Sequence, residues 1–166
     1  LDRALIAAFG DEGVVTGMKV TQRAAGANYS VDVAAGSVLV AGDEIVNQGS
    51  YFARFAAANL PLDTPPQAGG RIDLIAVTIR DTDSGASAGT PAELRVIKGS
   101  ASGSPAAPAV PNSTLVIAEV LLTAGLSSVL NASITDRRSL ARPRVVVSST
   151  EPSDPIDGLI WLRPVG

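Results

Sequence analysis

Residues 71 to 120 constrain the fold more than any other part of the chain. Arg71-Ile72-Asp73-Leu74-Ile75-Ala76-Val77, Leu94-Arg95-Val96-Ile97-Lys98 and Leu115-Val116-Ile117-Ala118-Glu119-Val120 are three short apolar runs, rich in branched residues. Successive side chains of a strand point to opposite faces. Ile72, Leu74, Ala76 and Thr78 therefore share one face of the first run, and Asp73, Ile75, Val77 and Ile79 the other. Apolar residues on both faces predict a central strand over Arg71 to Asp81. Asp81 to Pro91 is turn material, so Glu93 to Lys98 returns as the second arm of a hairpin with a long tip. Ala101 to Asn112 is a Pro/Ala/Ser connector expected to run extended over the surface. Ile72, Leu74, Val77, Val96, Leu115, Ile117 and Val120 are the expected core.

The remainder repeats this grammar. Strands are expected at Val14 to Gln22, Tyr29 to Val33, Ser37 to Val40, Glu44 to Val46, Tyr51 to Phe55, Thr114 to Thr123 and Val129 to Ile134, with turn-forming Gly, Asp and Asn between them. Asn59 to Gly70 holds three prolines and two glycines and is expected to be irregular. Leu1, Leu5 and Phe9 fall at helical spacing before Gly10, which predicts a short N-terminal helix. Many short strands and little helix predict a mainly β chain, an antiparallel β-sandwich or barrel. Its expected divisions are an N-terminal helical arm over residues 1–10, a β domain over 11–141, and a Pro-containing extension over 142–166 that ends in a strand at Gly158 to Leu162.

Composition narrows the chemistry. The 166 residues include no Cys and no His. Disulfides, zinc fingers and Cys or His nucleophile systems are thereby excluded. The net charge of −3, with Lys only at Lys19 and Lys98, argues against a nucleic-acid surface. No apolar run reaches the roughly 18 residues that span a bilayer, so membrane insertion is not expected. Aromatic residues make up only 4% of the chain, which leaves few platforms for stacking a sugar ring.

No catalytic residue, cofactor site or metal site is expected. The carboxylates near Asp11-Glu12, Asp43-Glu44 and Asp81-Thr82-Asp83 show no paired groove of the kind a glycosidase needs. Asp81, Asp83 and Ser84 resemble a solvated turn more than a calcium loop, because no distal ligand follows. Asn131-Ala132-Ser133 fits the glycosylation pattern, which arises often by chance. The glycines from Gly99 to Gly103 precede no phosphate-binding helix. The charges that stand out are Arg71 and Asp73, two apart on an apolar strand, and Asp136-Arg137-Arg138 at the end of the last domain strand. A buried charge must be paired and hydrogen-bonded. These five residues are either surface groups at strand ends or one cluster at the mouth of the sandwich that fixes strand order.

Phe9-Gly10 through Gly17, Val31-Asp32-Val33-Ala34-Ala35-Gly36, Arg71-Ile72-Asp73-Leu74-Ile75, Ser104-Pro105-Ala106-Ala107-Pro108 and Ile134-Thr135-Asp136-Arg137-Arg138 follow one another in that order. The set resembles a β-rich domain of minor tail and baseplate proteins of long-tailed bacteriophages and prophages. The likeness covers about residues 9 to 140. The segment from Glu151-Pro152 to Gly158-Leu159-Ile160-Trp161 resembles a Pro-rich, Gly-x-x-Trp ending of tail appendages, with Leu159 where an acidic residue is frequent. The resemblance implies a structural protein of the virion tail, assembled in the bacterial cytoplasm and partnered by other tail proteins. It also implies a homo-oligomer, a homotrimer first. Leu1, Leu5, Phe9, Leu159 and Trp161 are the expected interface residues. A carbohydrate-binding module touching a host surface glycan is the second reading.

Overall fold

A computed structural model of the chain describes residues 12–46, 48–82, 89, 91–141, 145–147 and 160–162. The chain is mainly β, with three antiparallel sheets and one parallel pair of strands. The first six strands are β1 (Gly13–Gly17), β2 (Val20–Gln22), β3 (Ser30–Val33), β4 (Gly36–Gly42), β5 (Gly49–Phe55) and β6 (Ala58–Pro61). They form two three-stranded sheets, ordered β1-β4-β5 and β2-β3-β6.

These two sheets are one meander folded at a corner. Each of its three lines of chain crosses from one sheet to the other within two residues: β1 to β2 at Met18-Lys19, β3 to β4 at Ala34-Ala35, and β5 to β6 at Ala56-Ala57. The single strand expected over Val14 to Gln22 is thus broken. Gly17 and Met18 both take positive φ, 64° and 57°, and the Met18 side chain is wholly buried. A side chain at Gly17 would run into the carbonyl oxygen of Ala35 on the neighbouring line. Bends of this kind let strands change sheets at the corner of a sandwich.

The second layer is a four-stranded sheet ordered β10-β9-β7-β8. It contains β7 (Gly70–Ile79), β8 (Ala92–Ile97), β9 (Thr114–Thr123) and β10 (Ile134–Asp136). The expected central strand and hairpin are present: β7 lies between β8 and β9, and Val77 pairs with both Leu94 and Leu115. One core lies between the layers. Ile75, Val77, Ile79, Leu115, Ile117, Val120 and Leu122 meet Val20, Val31, Val33, Val38 and Val40 there.

Of the expected core residues, Leu74, Val77, Leu115, Ile117 and Val120 are buried, whereas Ile72 and Val96 are only half-buried. Leu74 belongs to the other face of β7, between Ile97 and Glu119 in register. The connector over Ala101 to Asn112 runs largely exposed and is bridged to the sheet where Ser102 meets Gly70.

Three further expectations are corrected. Glu44 to Val46 is a loop, because the Gln48 Oε1 accepts the Glu44 and Ile45 amides at 2.8 and 3.3 Å and folds that stretch back on itself. Val129 to Ile134 is mostly a 3-10 turn at Asn131–Ser133, held by reciprocal bonds between the Asn131 and Gln22 side chains and backbone amides. Asn59 to Gly70 is irregular only after Pro61, since β6 pairs with β3 and its proline sits at an edge. The parallel pair joins β11 (Val145–Val147) to β12 (Ile160–Leu162), so the expected terminal strand finds a partner within the chain. The expected N-terminal helix lies outside the described residues.

Candidate functional site

The Arg71 and Asp73 side chains share the core-facing side of β7, opposite Leu122 and Val120. They are 4% and 1% exposed, which makes them buried ions in an apolar layer. The Arg71 Nε donates to both Asp73 oxygens at 3.0 and 3.1 Å. Its two terminal nitrogens donate to the carbonyls of Thr64 and Asp63 at 2.8 and 2.6 Å. Asp73 also accepts the Gly99 amide at 2.9 Å. One ion pair therefore ties the start of the central strand to the loop after β6 and to the exit of β8. A side chain at Gly99 would strike the Ile72 carbonyl, so the close approach needs glycine.

The other charged residues do not join this pair. Asp136 and Arg138 bind each other, with the closest contact at 2.6 Å, and Arg138 also donates to the Gly17 carbonyl at 2.7 Å. Arg137 pairs with Glu119 at 2.9 Å. Among the described residues no hydrogen bond or ion pair links them to Arg71 or Asp73. Neither of the two readings holds for all five residues: Arg71 and Asp73 are buried as one fastener, and Asp136 with Arg138 forms a separate second one. Strand order is the reason: β10 lies beyond β9, so Val120 and Ile134 intervene between Asp73 and the far edge. The second fastener locks the domain's last strand to the corner glycine. Its electrostatics follow from contact. The Arg138 guanidinium holds the Asp136 carboxyl below its usual range, and Asp136 raises Arg138 in return. Glu119 likewise raises Arg137.

A third polar node carries no sequence motif. Gln48 is 1% exposed, and its Oε1 lies 3.4 Å from the Ser113 hydroxyl as well as gathering the two loop amides. Asp43 accepts the Ser113 amide. The node pins the β4–β5 loop to the entry of β9, and it leaves Val46 89% exposed at the loop's tip. Among the described residues the Gln48 Nε2 has no hydrogen-bond partner. A lone Gln before Gly49 gives no signal of this role.

A shallow cleft of about 290 Å³ runs between β5 and the base of the β7–β8 hairpin, lined by Tyr51, Phe52, Ile79, Arg80, Asp81 and Pro91 among others. The Tyr51 hydroxyl meets the Asp81 carboxylate, and Arg80 pairs with Glu93 at 2.7 Å. Asp83 and Ser84, the other residues weighed for calcium, lie outside the described residues. Among those described, no group of three or more His, Cys, Asp or Glu could hold a metal ion. Leu1, Leu5, Phe9 and Leu159 also lie outside them; Trp161 pairs in register with Val146. No described helix is long and apolar enough to cross a membrane. No protein-family model matches the chain, and neither a curated protein nor a solved structure matches it.

Proposed function

We propose that this chain is a structural component of a bacteriophage tail tip or baseplate, one that bridges other tail proteins in the virion and performs no catalysis. One observation carries the reading: three of the five segments that resemble tail domains frame the fold. Val31 to Gly36 forms β3 and its turn into β4, Arg71 to Ile75 opens the central strand with the buried ion pair, and Ile134 to Arg138 supplies β10 and the corner fastener. Residues that hold a frame, rather than line a cleft, suit a part whose work is to keep its shape under load. The likeness to tail parts built around an axis also favours a homotrimer.

The test is negative-stain microscopy of purified particles labelled with an antibody to this chain. Label at the tail tip or baseplate is the expected result. Label on the capsid, or none on intact particles, overturns the proposal.

A further inference from the structure

The connector between β8 and β9 crosses the outer side of the central sheet. It starts at Ser102, whose backbone exchanges two hydrogen bonds with Gly70, at 2.8 and 2.9 Å. The Pro105 ring then sits on that side of Gly70, together with the Leu121 side chain. The connector ends at Ser113, whose carbonyl accepts the Ile79 amide at 2.9 Å. Gly70 and Ile79 are the two ends of β7. The steps from Pro105 to Ser113 cover about 25 Å at the polyproline rise of about 3.1 Å per residue, and β7 itself covers about 30 Å. The connector is therefore nearly taut, with no slack to pass round a sheet edge. Its exposure follows the threefold polyproline period: Pro105 and Pro108 are half-buried, while Ser104, Ala106, Ala107, Ala109 and Val110 are exposed. Along this path lie Leu74, Ala76 and Thr78, which face away from the core between the layers and are still only 1%, 0% and 5% exposed.

We propose that this connector is a hinged cover, latched by the Ser102–Gly70 pair and pivoting at Ser113, which lifts as a unit while the sheets stay folded. The two ends are held unequally. Ser113 is buried, takes a positive φ, and is gripped by Asp43, Gln48 and the Ile79 amide. Ser102 is exposed and held by its backbone pair alone, and a side chain at the next residue, Gly103, would meet nothing within 4 Å. Among the described residues, no hydrogen bond joins Pro105 to Pro111 to the rest of the chain. A polyproline segment also has no internal hydrogen bonds to lose. Parts held by few contacts open well below the free energy of global unfolding, and here the latch is the weak point. Lifting uncovers a strip of Ile72, Leu74, Ala76, Val116 and Leu121. The central sheet thus carries a second apolar face, hidden by the chain's own segment. The inference goes beyond the tail-protein reading and does not depend on it.

The test is thiol labelling of the full chain, which has no cysteine of its own. Ala76→Cys places one thiol under the cover, and Ala118→Cys places one in the core between the layers; both positions are 0% exposed. Without denaturant the thiol at position 76 should react at least about tenfold faster than that at 118, with a shallower urea dependence, because opening the cover exposes less surface than unfolding. Ser102→Pro, which removes the latch donor, should raise the rate at 76 and leave the rate at 118 unchanged. Equal rates with equal urea dependence overturn the proposal, as does a Ser102→Pro effect that is absent or the same at both positions. If Ala76→Cys does not fold, elastase on the wild type decides. A cut within Ala106 to Val110, with the circular dichroism retained, is expected; cleavage only where the sheets themselves melt overturns the cover. Failure here leaves the tail assignment standing, since the microscopy reads location and this experiment reads local opening.

Discussion

The Arg71–Asp73 pair makes a quantitative claim about stability. Asp73→Ala removes a carboxylate that is 1% exposed, together with both contacts to the Arg71 Nε and the bond from the Gly99 amide. What remains is a buried guanidinium held only by the Asp63 and Thr64 carbonyls, and an amide without its acceptor. Breaking a buried pair by deleting one partner costs about 3–5 kcal/mol. Arg71→Met should cost a similar amount, because it strands Asp73 and the two carbonyls. The double variant Arg71→Met, Asp73→Leu should be less damaged than the sum of the singles, since a buried pair replaced by apolar residues of similar volume is often close to neutral. Urea denaturation followed by circular dichroism measures all four proteins. With a slope near ~2 kcal/mol/M, each single variant should lose about 2 M in midpoint at unchanged slope. Single losses below about 1 kcal/mol, or effects that simply add in the double variant, would refute the claim that the pair is a coupled fastener.

Other outcomes test the core, the corner and the second fastener. Ile117→Ala and Leu74→Ala, at 0% and 1% exposure, should each cost about 2–5 kcal/mol, and half-buried Ile72→Ala clearly less, in the same urea assay. Gly17→Ala should destabilise more than Gly26→Ala: a Cβ at Gly17 meets backbone, while a Cβ at Gly26 meets nothing within 4 Å, and both glycines have positive φ. Thermal melts of the pair separate clash from backbone preference. Asp136 should titrate below the usual aspartate range in a carboxyl NMR titration and move up in Arg138→Gln. Its contribution to stability is complete above the unfolded value of about 3.9 and lost as pH falls through the lowered folded value.

The sequence made the central sheet legible because its pattern there matches its environment. Residues 71 to 79 alternate, both faces carry apolar groups, and the strand is buried on both faces. Val14 to Gln22 misleads because its alternation continues through a corner. The break at Met18 comes from the approach of Ala35, a contact set by the neighbouring line and not by local propensity. Glu44 to Val46 has strand-like residues, yet one glutamine amide competes for its backbone and wins. Pro61 argues against a strand until its edge position is known. The charged site was half legible: two residues apart on an apolar strand, Arg71 and Asp73 had to share a face. Their remaining partners are backbone groups of Asp63, Thr64 and Gly99, which no side-chain pattern encodes.

The cover over β1 has a mechanical consequence. Val14 is bridged in parallel to Leu140, so these two segments run side by side in the same direction. Tension applied between these two points pulls the adjoining segments along their length in opposite directions. The bonds from Val14 to Ser139 and from Ala141 to Val14, at 2.7 and 3.0 Å, then bear the load together and not one after the other. That is shear, the stiffer of the two ways to pull strands apart. A part strung between neighbours by its two ends would meet a pull first at this short clamp, and the core behind it would feel the force only after the clamp had given way.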